Sequence, residues 1–365
     1  MKILYCITRS TWGGAQRNIW ELIKNQVKLN NKVVLVVGDK GTLSERVKNN
    51  FPKVKVIILY SLQRSIKPAK DLQAICQLRR IVKKENPDIV HLHSSKAGVI
   101  GRLACKGLGC KVVFTVHGWS FTDGIPSKKK IIYKFIERRM EPLTDKFICV
   151  SKYDYKIGMR DKVLKNPEKA CVIYNGIDYQ SDDREKNKVS YPIRYVMTAR
   201  FSEQKDQASL IKAFKLVQNK NCKLIFVGEG PTMDESKELV RKYNLENSVK
   251  FVGFQKNVNA YLNDSDVFVL STHYEGLPIS IIEALSHGMP VIATNVGGNS
   301  ELVDNKKNCF LVNNIDELKD AIDYFVKFPS MISKMGEHSL ELYKSKFMLN
   351  NFLKDTQKIY IDLLG

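Results

Sequence analysis

Residues 267–298 read VFVLSTHYEGLPISIIEALSHGMPVIATNVGG. Two short apolar runs rich in β-branched residues, Val267–Leu270 and Val291–Thr294, have the length and composition of strands buried on both faces. Between them lie a turn, Glu275-Gly276-Leu277-Pro278, and an apolar segment that suits a helix. Strand, helix, strand at this spacing predicts a βαβ unit, and hence a parallel sheet. Pro278 fits the first turn of that helix, where its missing N–H costs nothing. Two acids interrupt the apolar run. Glu283 sits among Ile281, Ile282, Ala284 and Leu285, and Glu275 precedes it by eight positions. An ionised carboxylate is costly to bury without a hydrogen-bonding partner. The stretch holds no Lys or Arg, so each acid must find its partner elsewhere.

The same rhythm extends in both directions. Lys2–Thr8, Lys32–Val37, Val54–Leu59, Ile89–His93, Val112–Val116 and Lys146–Val150 read as strands, with helical patterns at Ala15–Leu29, Ala69–Glu85 and Lys128–Arg139. A polar stretch, Gln180–Ser190, interrupts the pattern as a linker would, and Pro192 follows it. The rhythm then restarts at Tyr195–Thr198, Lys223–Val227 and Val249–Val252. Two doubly wound α/β domains are predicted, residues 1–180 and 181–345. The helical pattern Lys346–Leu363 supplies Phe347, Phe352, Ile359, Tyr360 and Leu363 for packing.

A chain of 365 residues suits two domains, and no apolar run reaches the length of a membrane-spanning helix. The first residues read as a strand rather than a signal peptide, and the eight cysteines form no CxxC pair. A cytoplasmic protein with reduced thiols is expected. The net charge of +21 falls wholly on residues 1–180, while residues 181–365 balance to zero. Such asymmetry points the first half toward an anionic partner.

Ligands of open parallel sheets bind beyond the carboxyl ends of the strands. The first half offers Gly13-Gly14 there, a close backbone approach at a helix start, though not a GxGxxG fingerprint. His91 and His93 close one strand and His117 another. No carboxylate or thiolate completes a metal set with them, so His117, before Gly118, reads as a hydrogen-bonding group facing substrate and His91 as structural. In the second half Arg200 and Lys205 share one strand-to-helix loop and can converge on an anion. Gly228-Glu229-Gly230-Pro231 forms another glycine loop. Asp264-Ser265-Asp266 spells DxD but precedes a strand, on the wrong edge of the sheet for a ligand.

Taken together, Glu275-x7-Glu283 with Gly276-Leu277-Pro278, Arg200 and Lys205, the GEGP loop, Asn175-Gly176-Ile177-Asp178 and Gly13-Gly14 resemble the retaining glycosyltransferases of family 4 over nearly the whole chain. The resemblance implies a GT-B fold, two Rossmann-like domains with parallel sheets and an interdomain cleft that closes on the substrates. The C-terminal helix, 346–365, would cross back onto the first domain. The implied reaction is metal-independent transfer of a hexose or N-acetylhexosamine from a nucleotide sugar, UDP being the family's commonest nucleotide, with retained anomeric configuration and no cofactor.

Carried onto this chain, Glu283 would bind the ribose and Glu275 the transferred sugar. Arg200 and Lys205 would hold the diphosphate, His117 would stand at the reacting sugar, and Gly14, Gly228, Gly230, Gly276, Leu277 and Pro278 would line the donor. The acceptor would meet the first domain, whose charge favours an anionic or lipid-linked glycan. Residues 127–139 read as an interfacial amphipathic helix. Lys128, Lys129, Lys130, Arg138 and Arg139 provide its basic face, with Trp119 and Phe121 nearby to meet sugar or lipid. Peripheral attachment to the anionic inner face of the cell membrane and a polyprenyl-diphosphate-linked acceptor follow. A UDP-sugar 2-epimerase on the same architecture lacks convincing extra proton-transfer residues here. A nucleic-acid-binding role lacks a recognised module and leaves the two acids unexplained.

Overall fold

The computed structural model describes residues 1–122, 124–179, 191–218 and 221–365; the expected linker, 180–190, lies outside them. The described residues form two compact units, Met1–Asn175 with Asn350–Gly365, and Gly176–Leu349. The division thus falls at 175/176 rather than at 180/181.

In the first unit, β1 (Lys2–Ile7), β2 (Lys32–Val37), β3 (Lys55–Ile58), β4 (Ile89–His93), β5 (Lys111–Val116), β6 (Lys146–Cys149) and β7 (Ala170–Val172) alternate with α1 (Gly14–Lys28), α2 (Thr42–Asn50), α3 (Pro68–Glu85), α4 (Ser95–Cys105), α5 (Ser127–Met140) and α6 (Lys152–Arg160). The sheet order is β3-β2-β1-β4-β5-β6-β7, with parallel pairings. Order reverses at β1/β4, so the segments after these two strands lie where an open sheet receives ligands. The continuous apolar runs predicted for doubly covered strands are buried throughout β1 and β4, the first residue of β1 excepted.

In the second unit, β8 (Ile193–Thr198), β9 (Cys222–Val227), β10 (Val249–Phe251), β11 (Val267–Leu270), β12 (Val291–Thr294) and β13 (Cys309–Val312) form a parallel sheet in the order β10-β9-β8-β11-β12-β13. Its helices are α7 (Gln207–Leu216), α8 (Met233–Lys242), α9 (Asn259–Asn263), α10 (Ile279–Ser286), α11 (Ile315–Lys327) and α12 (Ser330–Lys346). The last helix, α13 (Leu349–Leu364), carries the chain back into the first unit, where Tyr360 is fully buried and its hydroxyl lies 3.2 Å from that of Tyr5. The two passages between units run side by side: Ile177 N donates to Phe347 O at 3.2 Å, and Leu349 N donates to Ile177 O at 2.8 Å.

Helices α3, α4 and α5 lie next to one another on one face of the first sheet. One buried ion pair ties α5 down. Arg102 on α4 donates from Nη2 to Glu137 Oε2 at 2.6 Å and from Nε to Gly98 O at 2.8 Å, with its guanidinium 4.5 Å from the Phe114 ring centroid. Both side chains are almost wholly buried. Removing one partner of such a pair strands the other charge, which costs about 3–5 kcal/mol, whereas replacing both with apolar groups is often neutral. Glu137→Ala should therefore lower the stability of the first unit by about that amount, and Arg102→Met/Glu137→Leu should recover most of it. Urea unfolding followed by tryptophan fluorescence reads this unit selectively, because Trp12, Trp20 and Trp119 all belong to it. A double variant as unstable as Glu137→Ala would refute the account.

Candidate functional site

The partner of Glu275 arrives from seventy residues upstream. After β8 the chain makes a short 3-10 turn, Glu203–Lys205, which is stitched to the segment after β11. His273 N donates to Gln204 O at 2.8 Å, Gln204 Nε2 donates to Tyr274 O at 2.7 Å, and Ser271 Oγ donates to Asp206 O at 2.9 Å. These bonds bring the Lys205 ammonium onto the Glu275 carboxylate as an ion pair, with side chains only 17% and 9% exposed. The Thr272 hydroxyl lies 2.9 Å from both Glu275 Oε1 and Gln204 O, and shares its single proton between them. The carboxylate is partnered and held against the sheet edge.

Arg200 occupies the same edge and is exposed, with no ion pair among the described residues. Its backbone is fixed by the glycine loop after β9. A Cβ at Gly228 would stand 2.0 Å from Ala199 O, and one at Gly230 would stand 2.1 Å from Phe201 O, with φ of +141° and +153°. Only glycine permits that approach. Ala199 N donates to Val227 O at 3.0 Å and Phe201 N to Glu229 O at 3.1 Å. The GEGP loop thus acts on the chain itself, presenting the guanidinium.

Pro278 stands one position earlier than expected, as the residue before the first turn of α10, and Leu277 is buried beneath it. The N–H groups that open α10 carry the partial positive charge of a helix start. Glu283 is the fifth residue of α10 and half-buried, between buried Ile282 and Ala284. Sequence reasoning missed Gly297: its φ is +56°, and a Cβ there would lie 2.0 Å from Glu275 O. The signal was a Gly-Gly pair two residues after β12, the mark of a close backbone contact. Asp264 and Asp266 face the opposite edge and are engaged by Arg194, Asp264 by its guanidinium and Asp266 Oδ2 by its backbone N at 2.8 Å.

In the first unit, Gly14 opens α1 after β1, one residue before the expected start, with Gly13 extended before it. His117 follows β5 and is half-buried. Its Nε2 lies 3.0 Å from Nδ1 of His93, which is fully buried. His91, behind them, contacts Tyr360 OH through Nδ1 at 2.5 Å and Thr115 Oγ1 through Nε2 at 2.7 Å. Burial lowers His117 to about 4 and His91 to about 3, and holds His93 well below the usual range. All three rings are neutral at neutral pH. Among the described residues no group of three or more His, Cys, Asp or Glu side chains is arranged to hold a metal ion.

The expectation for Trp119 and Phe121 needs correction. Trp119 and Phe121 are core residues, 3% and 2% exposed, with rings stacked at 5.2 Å. Trp119 Nε1 donates to Asp154 O at 2.8 Å, so the ring meets neither sugar nor lipid. Arg138 is anchored by Nε and Nη2 on Asp161 O at 2.9 and 2.7 Å, and Arg139 lies over the Phe135 ring at 5.0 Å. Lys128 and Lys129 are exposed and Lys130 is half-buried. Beside them Ile131, Ile132 and Phe135 are 69%, 55% and 55% exposed.

Residues 178–341 match the model of glycosyl transferases group 1, and residues 12–181 match that of glycosyltransferase family 4. The chain is 29% identical over 349 residues to the UDP-Gal:alpha-D-GlcNAc-diphosphoundecaprenol alpha-1,3-galactosyltransferase of Escherichia coli, covering 90% of this chain and 89% of that protein. It is 28% identical over 313 residues to the N-acetyl-alpha-D-glucosaminyl L-malate synthase of Bacillus anthracis, covering 81% and 80%. The fold superposes on Anabaena HepE, solved in complex with UDP-glucose, with a TM-score of 0.84 at 20% identity, covering 99% of this chain and 100% of that one. The paired parallel sheets, the acids around α10 and two adjoining family matches spanning residues 12–341 lead to one conclusion: this chain belongs to the group 1, family 4-type glycosyltransferases of GT-B fold.

Proposed function

We propose that this protein transfers a hexose or N-acetylhexosamine from a UDP-sugar to a polyprenyl-diphosphate-linked glycan, with retention of anomeric configuration and without a metal. The observation that carries the reading is the Lys205–Glu275 ion pair, with Arg200 on the same strand-to-helix loop exposed and without an ion pair among the described residues, at the ligand-receiving edge of the second sheet. Arg200 and Lys205 hold the donor's diphosphate and offset the charge that grows on it as the sugar leaves. The N–H groups opening α10 add to that field. Glu275 accepts hydroxyls of the transferred sugar, and Glu283 accepts the ribose diol. Gly276, Leu277 and Pro278 line the donor, while Gly228 and Gly230 serve it by setting Arg200. In the first unit Gly14 offers a close backbone approach and His117 a hydrogen bond to the sugar. The leaving phosphate takes the acceptor's proton on the face from which it departs, which preserves configuration.

The acceptor reading is supported by the named galactosyltransferase relative, which acts on a diphosphoundecaprenol-linked sugar, and by the +21 charge of residues 1–180. Among the described residues no helix is long and apolar enough to cross a membrane. Attachment is instead peripheral, at the inner face of the cell membrane, through exposed Ile131, Ile132 and Phe135 flanked by Lys128 and Lys129.

Thermal-shift screening across UDP-, GDP- and ADP-sugars tests the donor. A UDP-sugar at a hundredfold excess over Kd should stabilise the protein by about 2.7 kcal/mol. Glu283→Ala should abolish the shift, and a shift that survives this change would remove Glu283 from the ribose site. Product anomeric configuration, read by NMR, tests retention. For the membrane, sedimentation with phosphatidylglycerol vesicles should show binding at low salt that is lost at high salt and in Ile131→Glu/Phe135→Glu. Binding that ignores both salt and this substitution would refute the role of α5.

A further inference from the structure

The ring of His93 is enclosed on every side. It is 0% exposed, lies against the His91 ring at a tilt of 34° with centroids 4.2 Å apart, and lies 5.3 Å from the His117 ring and 6.2 Å from Tyr5. Its Nδ1 faces His117 Nε2 at 3.0 Å, and its Nε2 is buried without a hydrogen-bond partner. Two neutral arrangements satisfy the shared bond. In the first, His93 carries its proton on Nδ1 and donates to His117 Nε2, which leaves a bare lone pair at His93 Nε2. In the second, His117 donates from Nε2, the His93 proton moves to Nε2, and a buried N–H is left with no acceptor. Orphaned buried N–H groups are the rarer and costlier fault. A protonated His93 is disfavoured by its burial and its two histidine neighbours.

We propose that His93 is a positioning residue that locks His117 in the tautomer protonated on Nδ1. His93 is the only hydrogen-bond partner of the His117 ring among the described residues, and that ring is half-buried, so its Nδ1 edge turns a donor outward. Under the proposed function, on which this inference rests, that N–H donates to an oxygen of the transferred sugar. A histidine free to exchange tautomers would present a donor for only part of the time. Which nitrogen bears the proton is set by the bond the other makes. The arrangement therefore removes a loss of turnover that the sequence alone gives no reason to expect.

The test combines a spectrum with kinetics. Nitrogen-15 NMR of the histidine rings, recorded at neutral pH without substrate, should show His117 protonated on Nδ1 in the unaltered protein. His93→Leu should convert it to mixed tautomers. His93→Asn, whose side-chain amide nitrogen stands where Nδ1 stood, should restore the single tautomer. In transfer from UDP-galactose to diphosphoundecaprenol-linked GlcNAc, His93→Leu should lower kcat about tenfold with little change in KM for the donor, and His93→Asn should recover to within about threefold. An unchanged UDP-induced thermal shift in both variants establishes that they are folded. His117 protonated on Nε2 in the unaltered protein, or a tautomer that ignores His93→Leu, overturns the proposal, as does a tautomer that changes while transfer does not. If His117→Ala also leaves transfer intact, the failure lies in placing His117 at the sugar. Absence of transfer by the unaltered protein counts against the proposed substrates, and the spectrum then decides the tautomer by itself.

Discussion

A parallel strand pair can be joined only by a crossover that carries the chain back to the starting edge. In both sheets this rule sorts the loops: return segments gather at one edge, and the segments that follow strands gather at the other. Gly14, His117, Lys205, Glu275 and Gly297 each lie just after a strand or at the helix that follows one. The strands themselves are buried and mostly apolar, with His91 and His93 at the end of β4 among the polar exceptions. Asp264 and Asp266 show the converse, for they precede β11 and serve to fasten the start of β8.

Local pattern made most of the elements legible. β2, β4, β11 and β12 have the bounds expected from their apolar runs, because strands covered on both faces carry an unbroken signal. β7 and β13 escaped notice, since each is a short edge strand with half-buried residues. The helical pattern expected at 346–363 proved to begin at Leu349, with α12 ending at Lys346 just before it.

The candidate site was legible as a set of residue types but not as a set of partnerships. Glu275 looked unpartnered because the search was local, and Lys205 reaches it only after β8 and β11 pair. The glycines of the GEGP loop looked like ligand contacts, and the fold adds a second demand on them, a close approach to the backbone on either side of Arg200. Trp119 misleads for a related reason. Its position beside a basic, apolar segment suggested exposure, yet its ring is buried and its Nε1 is spent on the carbonyl of Asp154. Sequence shows which side chains are available, and only the fold shows which remain so.

The return of α13 has a consequence for how the chain is made. Residues 350–365 complete the first unit, with Tyr360 sealing the face of Tyr5 and His91, and Gln357 accepting from Gln26 at 2.7 Å. They leave the ribosome after the whole of the second unit. Domains ordinarily fold in the order of synthesis, but here the later-made unit can finish while the earlier one still waits. Through that interval Tyr5 and His91 lack the cover that Tyr360 gives them, so the nascent protein passes through a state whose incomplete half is the older one.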